Sequence, residues 1–302
     1  MDPLTEETVL SFEGDEITLY DFGRALDIDG NVCYALTNSG LHSIDITDPS
    51  ALVQLDFLPI DEDCIDIEVR GNYAFITQIA GSNSYLQLFD ITDPENLSYI
   101  GISYSSSSRQ LRYIDIEGNV AYIACKNGLL ALDITNPVSA SELGFGTKLW
   151  IYSKDIAVDG DYAYVSGSNI YTFDVSDPTN PNYVCTFGSS GMTWSITVDG
   201  DYLFAADYYY PGLKLFDITD PSTPTLLDSE ISKYYACGVV DMGDWCYVTS
   251  EKTNSPYYGL IDAYDVENPS AINRVASQGW DECPLFKCKK HGETWVFAIT
   301  RK

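Results

Sequence analysis

Apolar and polar residues alternate with a period of two along almost the whole chain, in short segments such as IAVDGDYAYV at 156–165 and LKLFDI at 213–218. Successive side chains of a strand point to opposite faces, so this alternation predicts half-buried strands. The i, i+3, i+4, i+7 spacing of an amphipathic helix persists nowhere over three turns. The chain therefore reads as all-β.

The strands fall into a repeating unit. Its first anchor is Gly followed by a short polar residue: Gly30-Asn31, Gly71-Asn72, Gly118-Asn119, Gly160-Asp161, Gly200-Asp201, Gly243-Asp244 and, less cleanly, Gly292-Glu293. The intervals between them run from 40 to 49 residues. Four positions beyond the first six anchors stands an aromatic ring: Tyr34, Phe75, Tyr122, Tyr164, Phe204 and Tyr247. The second anchor is a strand ending in Asp, with Pro four residues on, at Asp45, Asp90, Asp133, Asp174, Asp217 and Asp265. Gly beside Asn or Asp suits a tight hairpin, and Pro stops a strand because it has no N–H to give the ladder. Each unit then holds four antiparallel strands, which at this period is the pattern of a propeller blade.

Seven Gly anchors face six Asp-Pro elements, so one blade must be composite. After Gly292 only the second strand of a blade remains, while VLSFE and EITLYDF near the start match third and fourth strands. The expectation is a single domain over 1–302: a seven-bladed β-propeller of four-stranded antiparallel blades. Its last blade is closed by both termini, from residues 8–22 plus about 283–302. The alternative is six blades with a stray hairpin.

The units GNYAFI…YLQLFDITDP, GDYAYV…IYTFDVSDP and GDYLFA…GLKLFDITDP resemble the LVIVD-repeat β-propellers of bacteria and archaea, named for an apolar strand ending in Asp. The resemblance implies the propeller fold; such proteins are mostly uncharacterised and often sit at cell surfaces. Family members often carry Arg six residues before the Gly anchor. Here that place holds Arg24, Ile65, Arg112, Lys154, Trp194, Cys237 and Phe286.

Composition narrows the function. The 302 residues carry 45 acidic and 16 basic side chains, a formal charge of -29, with 45% hydrophobic residues. Such a surface repels phosphate backbones and anionic headgroups, so neither nucleic-acid binding nor membrane insertion is expected. No apolar window approaches the roughly 20 residues of a spanning helix. The chain start lacks the basic and apolar regions of a leader, which points to the cytoplasm, whereas the family resemblance points to the cell surface or exterior.

Eight cysteines could form disulfides, but Cys33 and Cys246 share a slot filled elsewhere by Ala74, Ala121 and Ala163, and Cys288 takes the place of Leu26 or Ile67. They read as packing residues; Cys283 with Cys288, or Cys237 with either, are the pairs that could meet. His42 within a strand and His291 beside a turn match no zinc spacing. The Asp-rich turns raise calcium as an alternative, yet the D-x-D-x-D-G spacing of a known loop never occurs, and no metal or cofactor is expected. Asp instead suits turns because it binds its own backbone.

The two rims of the ring should differ. One carries the short, acidic Gly and Asp-Pro turns. The other carries variable connections in which Trp150, Tyr152, Trp194, Tyr208, Tyr209, Tyr235, Tyr258 and Trp280 are interleaved with Ser, Asn and Gly. Rigid aromatics among adaptable polar residues are the composition of recognition surfaces. Arg24, Arg112 and Lys154 would add a basic ring at the same mouth, able to hold an anion unless Asp63, Asp66 or Asp155 neutralises it. The expected function is a non-enzymatic binding propeller presenting this rim to a protein, peptide or glycan partner, with Trp150, Trp194, Tyr209, Tyr235, Tyr258, Trp280, Arg24, Arg112 and Lys154 as ligand-binding residues. No catalytic residue is assigned. The alternative is a hydrolase or lyase acting on saccharide, with carboxylates drawn from Glu62, Asp63, Asp155, Asp281 and Glu282 as acid and base.

Overall fold

The computed structural model describes residues 23–60, 63–188, 191–208, 212–232, 234–252, 258–281, 285–291 and 295–300. Blade 1 is β1 (Gly23–Asp29), β2 (Val32–Thr37), β3 (Gly40–Asp45) and β4 (Val53–Pro59). Blade 2 is β5 (Cys64–Arg70), β6 (Tyr73–Ala80), β7 (Asn83–Asp90) and β8 (Ser98–Ser106). Blade 3 is β9 (Leu111–Glu117), β10 (Val120–Cys125), β11 (Gly128–Asp133) and β12 (Ser141–Thr147). Blade 4 is β13 (Asp155–Asp159), β14 (Tyr162–Ser166), β15 (Ile170–Asp174) and β16 (Asn182–Phe187). Blade 5 is β17 (Thr193–Asp199), β18 (Tyr202–Asp207), β19 (Gly212–Asp217) and β20 (Thr225–Ile231). Blade 6 is β21 (Tyr235–Met242), β22 (Trp245–Lys252), β23 (Tyr258–Asp265) and β24 (Asn273–Asp281), and a seventh sheet holds β25 (Leu285–His291) and β26 (Trp295–Thr300). Strands pair with their chain neighbours in every sheet.

Six sheets thus have four strands, which matches the six-blade alternative and corrects the expectation of seven four-stranded blades. The seventh sheet is two-stranded among the described residues, and residues 8–22, assigned to its outer half, lie outside them. Strand β25 packs between β21 of blade 6 and β1 of blade 1.

The two sequence anchors meet each other. At Gly30, Gly71, Gly118, Gly160 and Gly200 the backbone takes φ between +54 and +59°. A Cβ there would meet nothing within 4 Å, so conformation rather than crowding selects glycine. The next residue's carbonyl then accepts the N–H following the strand-ending Asp: Ile46 to Asn31, Ile91 to Asn72, Ile134 to Asn119, Val175 to Asp161, Ile218 to Asp201 and Val266 to Asp244, at 2.8–3.0 Å. Both kinds of turn therefore occupy one rim.

The aromatic residue of each unit is the bridge between blades. Tyr34 packs with Cys64, Ile67 and Ile76 of blade 2; Phe75 packs with Leu111 and Ile123 of blade 3; Tyr122, Tyr164 and Phe204 repeat the contact into blades 4, 5 and 6. Acids of the inner strands add a polar stitch. Asp27, Asp66, Asp115 and Asp155 each accept a backbone N–H of the next blade, from Val69, Ile114, Val158 and Ile196, at 2.6–3.1 Å. The seven described cysteines form no disulfide with one another, and all but Cys185 are buried, as packing residues should be; Cys283 lies outside the described residues. Burial pushes the Cys33 and Cys125 thiols up to about 12. His42 is buried in β3, with Nε2 3.2 Å from the Thr37 hydroxyl and its ring against Phe57. His291 ends β25.

The turn aspartates are occupied within their own turns. Asp45 Oδ1 takes the Thr47 hydroxyl and N–H, Asp48 those of Ser50, Asp177 those of Thr179 and Asp220 those of Ser222. The hydroxyls first, then the N–H groups, hold these carboxyls below their ordinary 3.8. A depressed folded pKa contributes stability above the unfolded value, and that contribution is lost as pH falls below about 3.8 through the lower folded one. Replacing Thr47, Ser50, Thr179 and Ser222 together by Ala is expected to move the midpoint of acid unfolding, followed by circular dichroism, to higher pH. An unmoved midpoint would mean that the hydroxyls do not hold the charges.

Candidate recognition rim

The opposite rim is where the inner strands start, and a local irregularity recurs there. In β1 the register passes from Gly23 opposite Thr37 to Ala25 opposite Leu36, leaving Arg24 as an extra residue with no ladder partner. The same bulge isolates Ile65 in β5, Arg112 in β9, Trp194 in β17, Cys237 in β21 and Phe286 in β25. Lys154 stands immediately before β13, its N–H bonded to the Ser166 carbonyl. A bulge places two residues opposite one and re-aims the extra side chain, which is why bulges gather beside functional sites. At six of the seven Gly anchors the residue six before is thus released from the ladder, at equivalent places around the ring.

Three of these side chains carry charge. The Arg24 Nε donates to Asn38 Oδ1 at 2.5 Å, and an Arg112 terminal nitrogen donates to Gln110 Oε1 at 3.3 Å. Neither guanidinium has an ion pair among the described residues. Of the three acids that could have neutralised them, Asp66 is turned to the Ile114 N–H and Asp155 to the Ser195 hydroxyl and Ile196 N–H, while exposed Asp63 forms no ion pair among the described residues. The Lys154 ammonium lies 4.3 Å from the centre of the Trp194 ring, a cation–π contact.

Trp194 begins an aromatic ladder across two blades. Its ring stacks on Tyr208 at 4.7 Å and 19°, and Tyr208 stacks on Tyr235 at 4.6 Å and 18°. Tyr208 is held at the end of β18 by its N–H to the Met192 carbonyl. Beneath it, buried Asp207 forms an ion pair with Lys214, and Gly191 packs so closely that its Cβ would lie 2.5 Å from the Asp207 carboxylate.

A second pair of rings stands on the connection from β12 to β13. Trp150 and Tyr152 are 62% and 52% exposed, while Ile151 and Ser153 between and after them are completely buried. Both aromatic residues have positive φ, 65° and 53°, which an L side chain adopts at a cost of roughly 1–2 kcal/mol. The loop is held by Gly167, where a Cβ would lie 2.4 Å from the Ile151 carbonyl oxygen. The ring centroids are 6.4 Å apart at 30°, so the faces are not spent on each other.

Of the residues expected at the rim, Trp194, Tyr235 and Lys154 are therefore joined in one ladder, while Arg24, Arg112 and Trp150 stand apart from it. Tyr258 opens β23, and Trp280 lies opposite Gly259 in β24; their side chains, and Tyr209 entirely, lie outside the described residues. Of the carboxylates considered as acid and base, the side chains of Asp63 and Asp155 are described and that of Asp281 lies outside the described residues. Asp155 is buried against blade 5, Asp63 is exposed with φ 80°, and Glu62 and Glu282 lie outside the described residues. No group of three or more His, Cys, Asp or Glu among the described residues is disposed to hold a metal ion.

The inner strands hold a charged cluster that sequence reading missed. Lys289 of β25 reaches Asp27 at 3.2 Å and Glu68 at 3.7 Å, and Lys290 reaches Asp241 at 3.5 Å. Burial, then Asp27, pushes the Glu68 carboxyl well above its usual range; burial also raises that of Asp115, and the ring of acids raises the Lys289 ammonium. The signal was present: Asp27, Glu68, Asp115 and Lys289 all stand three residues before a Gly anchor.

Four stretches, residues 63–104, 108–145, 152–188 and 190–229, match the family model of the LVIVD repeat, one for each of blades 2 to 5. No curated protein matches the chain. Among solved structures, a protein from Lactobacillus plantarum superposes with a TM-score of 0.69 at 12% identity, covering 84% of this chain and 84% of that one. A functionally unknown protein from Desulfotomaculum acetoxidans gives 0.65 at 15%, covering 88% and 81%, and a computationally designed protein gives 0.63 at 8%, covering 93% and 94%. Likeness at these identities concerns the fold alone.

Proposed function

From the premise that the chain belongs to the LVIVD-repeat family, we propose that it is a non-enzymatic binding propeller whose bulged, aromatic rim receives a protein, peptide or glycan partner. The observation that supports this reading is the strained pair Trp150 and Tyr152. Two of the three non-glycine residues with positive φ among the described residues are large aromatic residues held out to solvent by a buried Ile151. Glycine would take either conformation without strain, so the rings are kept at a cost in stability, and such strain gathers at ligand clamps. The test is a pair of variants, Trp150→Gly and Tyr152→Gly, screened with the parent protein on glycan and peptide arrays. Each should keep or slightly raise Tm while weakening capture of the array ligand by about 10-fold or more, the loss expected of a buried aromatic anchor. A fall in Tm with unchanged capture would make the rings structural and overturn the reading.

The same reading needs a closed ring. Strand β26 has no partner on its far edge among the described residues, and β25 already sits between blades 1 and 6 as an inner strand should. We propose that residues 8–22 add the outer two strands, making this the seventh four-stranded blade and covering its edge.

A further inference from the structure

We propose that the mouth receives the carboxylate of an acidic saccharide, a uronate, between the Arg24 and Arg112 guanidiniums; this deepens the binding reading above and rests on it. Three independent observations converge. Both arginines occupy the bulge position, which frees them from the sheet at equivalent places on blades 1 and 3. Both are hydrogen-bonded only to neutral side-chain amides, Asn38 and Gln110, in a chain where acids outnumber bases 45 to 16. Of the acids expected to neutralise them, Asp66 and Asp155 are bound to neighbouring blades, and Asp63 forms no ion pair among the described residues. Two unneutralised guanidiniums in so acidic a protein form a local exception, and a planar fork of N–H donors matches a carboxylate.

The charge of the whole molecule sets the valence. At physiological salt the screening length is about 8 Å, so distant acids repel a single carboxylate weakly while a guanidinium in contact acts in full. A dianionic phosphate or a sulfated polymer meets more of the -29 charge. The rest of the ligand follows from the same rim. The open faces of Trp150 and Tyr152 suit the C–H face of a sugar ring, and the Asn38 and Gln110 amides, together with Ser106 and Ser108 beside Arg109, offer partners to hydroxyls.

The experiment is isothermal titration of the full chain with a trisaccharide of two galactoses and one galacturonate, with neutral galactotriose, and with an acetylated tripeptide ending in a free carboxylate, in 150 mM salt. The monouronate trisaccharide should bind at least 10-fold tighter than galactotriose, and Arg24→Gln with Arg112→Gln should abolish that preference with Tm nearly unchanged. Arg24→Lys with Arg112→Lys, which keeps the charge but not the fork, should retain part of it. Equal binding of acidic and neutral sugars, a preference that survives the double Gln variant, or no binding of any probe would overturn the assignment. Binding of the peptide as tightly as the uronate would overturn the saccharide. Array capture that still depends on Trp150, with no uronate binding, would leave the rim reading standing and remove only this one.

Discussion

Deletion of residues 1–22 is expected to yield a chain that aggregates instead of folding cooperatively. The buried face of blade 1 toward the seventh sheet includes Leu26, Cys33, Ala35, Ile44 and Ile46. Ile44 lies in the third strand, whereas the seventh sheet has only β25 and β26 among the described residues. Two inner strands do not span a face built from three. If residues 8–22 supply the outer pair, removing them uncovers blade 1 and blade 6 together and leaves β26 as an open edge carrying Trp295 and Phe297. Blades contact mainly their neighbours, so losing half of one weakens two interfaces at once. The loss should exceed the roughly 5–15 kcal/mol that separates a folded domain from its unfolded ensemble. Size-exclusion chromatography and thermal unfolding decide the matter. A soluble truncated protein that melts cooperatively, with an unchanged far-ultraviolet spectrum per residue, would show that six blades and a hairpin close without the segment.

Lys289→Met is expected to destabilise the ring at neutral pH and progressively less in acid. The lysine places one positive charge among Asp27, Glu68 and Asp115, and joins the last sheet to blades 1 and 2. Removing one partner of a wholly buried pair costs about 3–5 kcal/mol. Lys289 keeps 43% of its side chain exposed, so water already screens part of the interaction. A loss of about 2 kcal/mol, or roughly 4 °C in Tm, is the discounted expectation. The pH dependence carries the sign. The Lys289 ammonium is raised above its ordinary 10.5, so its contribution is complete below that value and is lost as pH rises through the folded one. Glu68 is raised above its ordinary 4.5, so its neutral form favours the fold, and that contribution is likewise lost as pH rises through the raised value. In the variant, lowering the pH through the raised Glu68 value protonates that carboxyl and relieves the repulsion that Lys289 had offset. The Tm gap between parent and variant should narrow over that range, and Glu68→Gln should be neutral or stabilising at pH 7. A gap that does not change with pH would mean that Lys289 acts through packing alone.

The blade repeat could be read from the chain because each of its signals is local. A Gly needing φ near +55°, an Asp binding the Thr or Ser two residues on, and alternation of period two all operate within one or two strands. The rim contrast was legible for the same reason, since turn chemistry and loop composition segregate along the chain. Six repeats of one four-stranded unit then leave little choice of architecture.

Other features depend on what the ring brings together. The bulges at Arg24, Arg112 and Trp194 arise where an inner strand runs one residue longer than the partner it pairs with, and no residue type marks them. The ladder of Trp194, Tyr208 and Tyr235 joins residues from different blades, and its 4.6–4.7 Å stacking depends on how those blades pack. Asp66 and Asp155 could have faced the arginines beside them; the next blade's N–H groups lie closer in space, and a buried carboxylate takes the nearest donors it can reach. Lys289 meets Asp27 and Glu68 across more than two hundred residues because closing a ring sets the last inner strand beside the first. Periodicity along the chain specifies a blade, and the contacts between blades decide which side chains remain free to bind.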